Sequence, residues 1–490
     1  MTNIRDTMKH FKAYIPYIRD NGISEDILLQ LISEHKSINQ DVVQLQKRYE
    51  TSKDGVPILK RNPVNYPMWQ ENERVRRIDN LVNNKLNNAF DADIVDTKIG
   101  YFLGIPINYV VETRKIPNTQ ALADAMEAMR TRENTADKDG ELGKKASITG
   151  YGARLVYWGV ENNEPVIRYS NIDPEEVIFL AEESIAEPTF AVRYYNTSII
   201  LDSTGNKQNV LKVEFHDSQD TYYFQGNTNG LELVDIKPHG FDYCPLIGLL
   251  NNDEYQGEVV KILNLVDAYD RTFSDVNSEI EQNRLAYLIL KNIGMDKEDI
   301  DELHKSGMFE MFGENVDIKY LTKEVNDSLV EHHMDRLEKN IAQFSKNVNF
   351  SDESFAGNLS GVAIKFKTMA LEHKCIMSER KFTSMLQQQH KVMCSGWAKL
   401  GICKPEDYLN IWFGYKRNLP QNYLDEAQTT ALLKGQVSER TRLSLLSFID
   451  DVDAELEEMK RDQQEQEAVI QEKLGSLVDD EEKEVGEENE

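Results

Sequence analysis

The segment EVNDSLVEHHMDRLEKNIAQFSKNVNFSDESFAGNLSGVAIKFKTMALEHKCIMSERKFTSMLQQQHKVMCSGWAKL, residues 324–400, reads as a helix, a small-residue loop and a longer helix. Val325, Leu329, Leu337, Ile341, Phe344 and Val348 recur at the spacing that puts side chains on one helical face. From Asn349 to Gly361 the residues are mostly small and polar, with two glycines, a composition that favours caps and turns over a buried face. From Val362 to Leu400 there is no proline. Phe366, Met369, Ile376, Met377, Met385, Leu386, Val392, Met393 and Trp397 supply an apolar stripe along a helix well above the mean length. Such a helix is expected to cross a whole domain. Phe344 and Phe366 count here as core positions, where aspartate would cost several kcal/mol by burying a charge.

The glycines beside that second helix do not make a phosphate loop. Gly357 and Gly361 lead into Val362 and Ala363 with no Lys-Ser or Lys-Thr pair, and Gly140 and Gly143 stand too close together before Lys144. Four cysteines (Cys244, Cys375, Cys394, Cys403) follow no CxxC pattern, which favours free buried thiols. His390, Cys394 and Cys403 are near one another in sequence, but a fourth metal ligand is missing and packing is the better reading. No nucleophile with its base, metal cluster or cofactor loop has usable spacing. The expectation is therefore no catalytic residue, no metal, no cofactor and no enzyme activity.

At 490 residues the chain exceeds one compact core and should hold two to four domains. It has no run of eighteen apolar residues and no secretory N-terminus, which predicts a soluble protein, intracellular at synthesis. The net charge of −28 opposes a nucleic-acid partner at first sight. Half of it, however, sits in residues 450–490, with eighteen acids against four bases, a composition that predicts a disordered tail. Conversely, the helix 362–399 carries Lys365, Lys367, Lys374, Arg380, Lys381, Lys391 and Lys399 against Glu372 and Glu379. A net-basic helix in an acidic chain calls for DNA, another subunit, or simply solvent.

Taken in order, residues 4–50 read as helices, with Ser24 as an N-cap, and 51–80 as a linker or irregular arm. The asparagines of 83–88 suit a turn, and the apolar run to Leu103 suits a buried helix stopped by Gly104 and Pro106. A helix over 119–130, a charged loop and a second helix near 143–150 follow. The period then changes to two in the runs 153–158, 165–169, 177–180, 189–195, 210–215 and 221–224, which predicts an antiparallel sheet. Helical spacing returns with Ile262, Val266, Tyr269, Phe273, Val276 and Ile280, a heptad-like seam running toward Leu290. Between this helix and 324–348 lies a short acidic helix, Lys297 to His304. After it come Met308, Phe309, Met311 and Phe312, and then Val316 to Tyr320, both short enough to be strands. A small module on two adjacent helices is a protrusion, whose Met and Phe side chains either bind a partner or fill its own small core. Beyond Leu400, Tyr408 to Tyr415 and Leu424 to Leu433 read as short helices, with Ser438 capping another.

The order of these parts resembles the portal proteins of tailed double-stranded DNA bacteriophages, in the long-tailed phage group. Asn83-Asn84-Lys85 with Ile94 through Pro106 (IVDTKIGYFLGIP) carries the resemblance at one end, and Gly150-Tyr151-Gly152 leads into the sheet. Asn251-Asn252 with Leu265 through Asp270 (LVDAYD), Ser360 through Lys367 (SGVAIKFK), and Gly435-Gln436-Val437-Ser438 continue it along most of the chain. The resemblance implies a predominantly helical α+β subunit with a wing of helices and antiparallel sheet over 1–254. It implies stem helices over 255–292 and 324–348 and a small α/β clip over 293–323. A tunnel loop over 349–361, a long wing-spanning helix over 362–400, a helical crown over 401–465 and an acidic tail over 466–490 complete it.

It implies a ring, usually a dodecamer, at one capsid vertex of the virion, assembled in the host cytoplasm, that passes double-stranded DNA during packaging, retention and ejection. Its partners would be its own copies, the terminase motor, the major capsid or scaffolding protein and the head-completion proteins, with no membrane. By this resemblance Asn349, Ser351, Asp352, Glu353, Ser354, Phe355, Asn358 and Ser360 face the DNA, and Met308, Phe309, Met311 and Phe312 dock the motor and connectors. Asp352 and Glu353 fit a conduit, because each phosphate neutralised by a base adds affinity that would impede sliding. The competing class is a non-portal virion structural or tail protein with long helices; a ring with a central channel separates the two.

Overall fold

The computed structural model describes residues 9–62, 83–112, 120–200, 207–283, 287–291, 317–321, 327–348, 361–419, 423–446, 449, 452 and 455–466. The chain divides into two units, residues 1–355 with 367–418, and residues 356–366 with 419–490. The first unit opens with helices α1 (Tyr14–Asn21), α2 (Glu25–Ile38) and α3 (Gln40–Tyr49). Ser24 caps α2, its Oγ accepting the Ile27 amide, and Glu25 and Asp26 follow where the positive helix end favours acids. α4 (Phe90–Phe102) is buried on several sides, through Asp91, Ile94, Val95, Lys98, Tyr101 and Phe102, and ends just before Gly104.

β1 (Asn108–Val111) leads to α5 (Gln120–Glu133) and α6 (Thr135–Thr149). The charged loop expected between two helices is thus mostly helix. Apolar spacing misses the start of α6 because its buried face there is polar: Thr135 and Asp139 are covered, each by a partner from the neighbouring sheet.

Eight strands follow: β2 (Tyr151–Glu161), β3 (Glu164–Ile172), β4 (Val177–Leu180), β5 (Phe190–Ile200), β6 (Lys207–His216), β7 (Asp220–Asn227), β8 (Gly230–Pro238) and β9 (Leu246–Leu250). Pairing is antiparallel throughout, but in two sheets, β3-β2-β9 and β4-β5-β6-β7-β8, in place of the single sheet expected. Phe11, Ile15, Leu28 and Leu31 from the N-terminal segment share one core with Val177–Leu180, Val192, Val213 and Phe215, so the helices cover the five-stranded sheet. β8 and β9 escape a period-two reading for opposite reasons. β8 is an exposed edge with a bulge opposite Tyr223 and Phe224, whereas all five residues of β9 are buried.

The chain then forms α7 (Leu263–Asn283), the paired strands β10 (Tyr287–Lys291) and β11 (Asp317–Leu321), α8 (Asp327–Ser345) and α9 (Gly361–Lys399). The seam expected to run helically toward Leu290 therefore ends at Asn283. α9 is one uninterrupted helix, and Val392 to Trp397 are buried all round. Gly396 is needed there: a Cβ would lie 2.8 Å from the Phe241 ring and 2.9 Å from Trp158. β12 (Ile411–Gly414) pairs with β1, which corrects the helical reading of Tyr408–Tyr415. Pro405 opens a 3-10 turn, and Tyr109 meets Phe413 edge-on at 5.5 Å across the pair, a contact a helix would not make.

The second unit holds α10 (Tyr423–Leu432), α11 (Glu439–Leu443) and a helical stretch over 455–466. Ser438 caps α11 by accepting the Thr441 amide at 3.2 Å. Phe344 and Phe366 are not core residues: 57% and 70% of their surface is exposed, and the stripes they belong to are only partly covered by this chain.

Candidate assembly and channel surfaces

α7 and α8 pack side by side. At one end Val259, Ile262, Val266 and Ile341 join Leu45, Ile94 and Val95 in a closed core. Further along, the seam comes out into solvent. Phe273 and Ile280 on α7 and Leu329 on α8 are exposed, while the covered face of α7 is polar: Asp270, Ser274 and Ser278, spaced by four. The cover is the strap 83–88. The Asn84 amide donates to Ser278 Oγ (3.2 Å) and the Leu86 amide to Ser274 Oγ (2.9 Å). Asn88 donates from both its backbone and its side chain to Asp270 Oδ1 (3.0 and 2.8 Å). Arg61 adds bonds to Asn83 Oδ1 and the Asn84 carbonyl. These asparagines do not form a turn. An extended strap without a sheet partner must satisfy its amides through side chains, and the seryl face of α7 supplies the acceptors.

Three buried charge clusters tie the N-terminal helices and the sheets to the long helices. In the first, Lys98 on α4 donates to Ser147 Oγ (3.1 Å), Asn251 Oδ1 (2.8 Å) and Glu258 Oε1 (2.5 Å), while Lys374 on α9 meets the other Glu258 oxygen at 2.5 Å. Burial alone would raise the Glu258 carboxyl, but the two ammoniums outweigh it and hold it at about 2. Close backbone contact delivers Glu258 to this place. A Cβ on Gly257 would lie 2.0 Å from the Ile148 carbonyl oxygen, and one on Gly150 (φ +101°) 2.2 Å from that of Tyr255. In the second cluster, fully buried Arg154 donates to Asp139 (2.8 Å), Gln389 (2.9 Å), Asn171 (2.9 Å) and the Lys138 carbonyl (3.0 Å). The Tyr169 ring stacks on its guanidinium, and Tyr109 donates to the second Asp139 oxygen. The third joins Arg48 on α3 to Asp91 (3.1 Å) and to Asp267 on α7 (2.8 Å).

The passages that resemble portal proteins supply Lys98, Asn251 and Asp267 to these clusters, Gly150 to the close approach beside Glu258, and Asp270 with Asn83 and Asn84 to the strap contact. A comparison by sequence decides the matter, since the family described as phage portal protein, SPP1 Gp6-like, matches residues 28–468. The chain belongs to the phage portal proteins. The portal protein of Clostridium phage phiCD119 is 25% identical over 441 residues, covering 86% of this chain and 92% of that one. The portal protein of Bacillus phage SPP1 is 22% identical over 426 residues, covering 82% and 80%. Membership sets aside the competing reading of a non-portal virion protein.

Of the residues the sequence assigns to portal sites, Asn349, Ser351, Asp352, Glu353, Ser354, Phe355, Asn358 and Ser360 lie outside the described residues, as do Met308, Phe309, Met311 and Phe312. Their flanks are described: α8 and α9 for the first set, β10 and β11 for the second. The basic helix finds much of its anionic neighbour in this chain. Lys374 pairs with Glu258, Lys381 with Asp253, Lys391 with Glu187 and Lys399 with Asp242, while Arg417 caps Glu372 and Glu379. Cys394 is buried, and the Cys403 thiol donates to its carbonyl. His390 donates to the Leu386 carbonyl, with burial lowering its pKa to about 4. Among the described residues no group of three or more His, Cys, Asp or Glu is placed to share a metal ion, and no helix is long and apolar enough to cross a membrane. Sequence reasoning missed Glu258 and Asp139. The available signal was a lone Lys98 inside the apolar run Ile94–Phe102 and a lone Arg154 in a buried strand, each of which requires a buried carboxylate.

Proposed function

We propose that the exposed seam of α7 and α8, together with Met369 and Met377 on α9, is the contact between neighbouring subunits of a closed portal ring. One observation carries this: beyond Tyr269, α7 buries a polar face in its own chain and turns Phe273 and Ile280 to solvent. That is the reverse of a helix in a self-sufficient monomer, and the phage portal family supplies the missing cover as further copies. DNA passes through the ring at a capsid vertex, the segment 349–360 lines the channel, and residues 293–323 meet the terminase motor and later the head-completion proteins. The energy for packaging comes from the motor; ATP turnover by the ring alone, lost on changing one of its own residues, would count against this.

The test is particle mass. Ile280→Asp with Phe344→Asp is expected to convert rings to folded monomers whose thermal unfolding matches that of unassembled wild type. Rings of normal mass in the double variant would refute the interface. Removing Ser351 to Ala356 is expected to leave rings intact yet abolish DNA packaging or retention; normal packaging would remove 349–360 from the channel.

A further inference from the structure

The C-terminal end of α8 is held from two sides. The Asn347 amide reaches back to Ala342 O (3.1 Å) and the Lys346 amide to Gln343 O (3.3 Å), closing the helix. Lys346 takes φ +57°, a left-handed cap where glycine is usual. A non-glycine residue keeps that conformation only when its surroundings fix it. Two contacts lie on either side of it. Lys374 Nζ donates to the Ser345 carbonyl at 2.9 Å, and Asn347 Nδ2 donates to Asp93 Oδ2 at 3.0 Å.

Both contacts lead to α4. Asp93 is on that helix, and Lys374 shares Glu258 with Lys98, which is also on it. Neutralising Glu258 does not by itself explain Lys374. Lys98 already supplies one positive charge, with Ser147 and Asn251 as its further acceptors, so a second buried ammonium is surplus to the carboxylate. What distinguishes Lys374 is its bond to a terminal helix carbonyl, where the negative end of the helix favours a cation.

We propose that Lys374 and Asp93 are positioning residues that fix where the chain leaves α8, so that the wing helix α4, and not the stem alone, sets the root of the segment that follows. Its consequence for DNA rests on the channel assignment above; the geometry of the root does not.

Amide hydrogen exchange on assembled full-length protein tests it, with Lys374→Gln, Lys374→Arg and, at a half-buried position, Asn347→Ala. The variants Lys374→Gln and Asn347→Ala are expected to speed exchange of amides 342–348 on the order of tenfold, in Asn347→Ala with 94–102 in α4 unchanged. Arginine, which keeps the charge and the donors, is expected to restore protection. Unchanged exchange at 342–348 in Asn347→Ala overturns the proposal, and so does a rise in that variant spread evenly over the unit. If Lys374→Gln fails to fold, Asn347→Ala alone decides. Packaging assays on the same rings separate the two readings. Faster exchange with reduced DNA content supports both, whereas faster exchange with normal DNA content upholds the positioning role, and the loop deletion above decides the channel assignment by itself.

Discussion

Replacing Glu258 by glutamine removes one charge from the Lys98–Glu258–Lys374 cluster and almost nothing else, since the amide keeps the shape and can still accept one bond. The cost follows from the carboxyl itself. Its pKa falls from 4.5 to about 2 on folding. At 1.36 kcal/mol per unit that is about 3 kcal/mol of stability at neutral pH. The same order follows from the other direction, since breaking a buried ion pair on one side costs about 3–5 kcal/mol by leaving the partner uncompensated. Here two ammoniums would be left, Lys98 among them, with its side chain 1% exposed.

The sign of the pH dependence is fixed as well. A carboxyl with a depressed folded pKa stabilises fully above its unfolded value and loses that contribution as pH falls, here from about 4.5 to about 2. Urea unfolding of the unassembled protomer at pH 7, 4.5 and 3, followed by tryptophan fluorescence, should show E258Q less stable by about 3 kcal/mol at pH 7. The gap should narrow as the wild type acidifies. A difference under about 1 kcal/mol at pH 7, or a gap that does not shrink by pH 3, would refute the reasoning.

His390 adds a second acid-sensitive limb at higher pH. Burial holds it neutral with a pKa of about 4, beside the Arg154 guanidinium, so the unfolded chain binds the proton first and stability is lost as pH falls from 6.5 to about 4. His390→Gln should flatten that limb of the stability curve by up to about 3 kcal/mol, read from urea midpoints at pH 7 and 4. Gly150→Ala should abolish soluble protein or lower the unfolding temperature sharply, because its Cβ would sit 2.2 Å from a backbone oxygen at φ +101°. Gly100→Ala, in the last turn of α4 with nothing within 4 Å, should instead stabilise by about 0.5–1 kcal/mol. Differential scanning of the two proteins side by side checks the contrast.

Elements whose signal is local were legible in the sequence. The thirty-nine residues of α9, the cap at Ser24 and the strand runs from Tyr151 to Asn227 announce themselves through periodicity and capping chemistry, which depend only on near neighbours. The portal resemblance was legible too, through short motifs, three of whose residues the structure places at a close backbone approach (Gly150) and a buried polar node (Lys98, Asn251). What remained hidden depends on partners far along the chain. The start of α6 looks like a charged loop until Arg154 and Tyr169 cover Asp139 and Thr135 from the sheet. Tyr408 to Tyr415 looks helical until Asn108–Val111 pairs with it.

An apolar stripe says that a helix has a face to bury, and says nothing about what buries it. Ile341 meets its own chain and Phe344, three residues on, meets solvent in the protomer, although both stand on the same periodic seam. Period is a property of one helix. Cover is a property of everything packed around it, and only the tertiary structure shows that this chain spends the inner face of α7 beyond Tyr269 on an asparagine strap and leaves Phe273 and Ile280 outside.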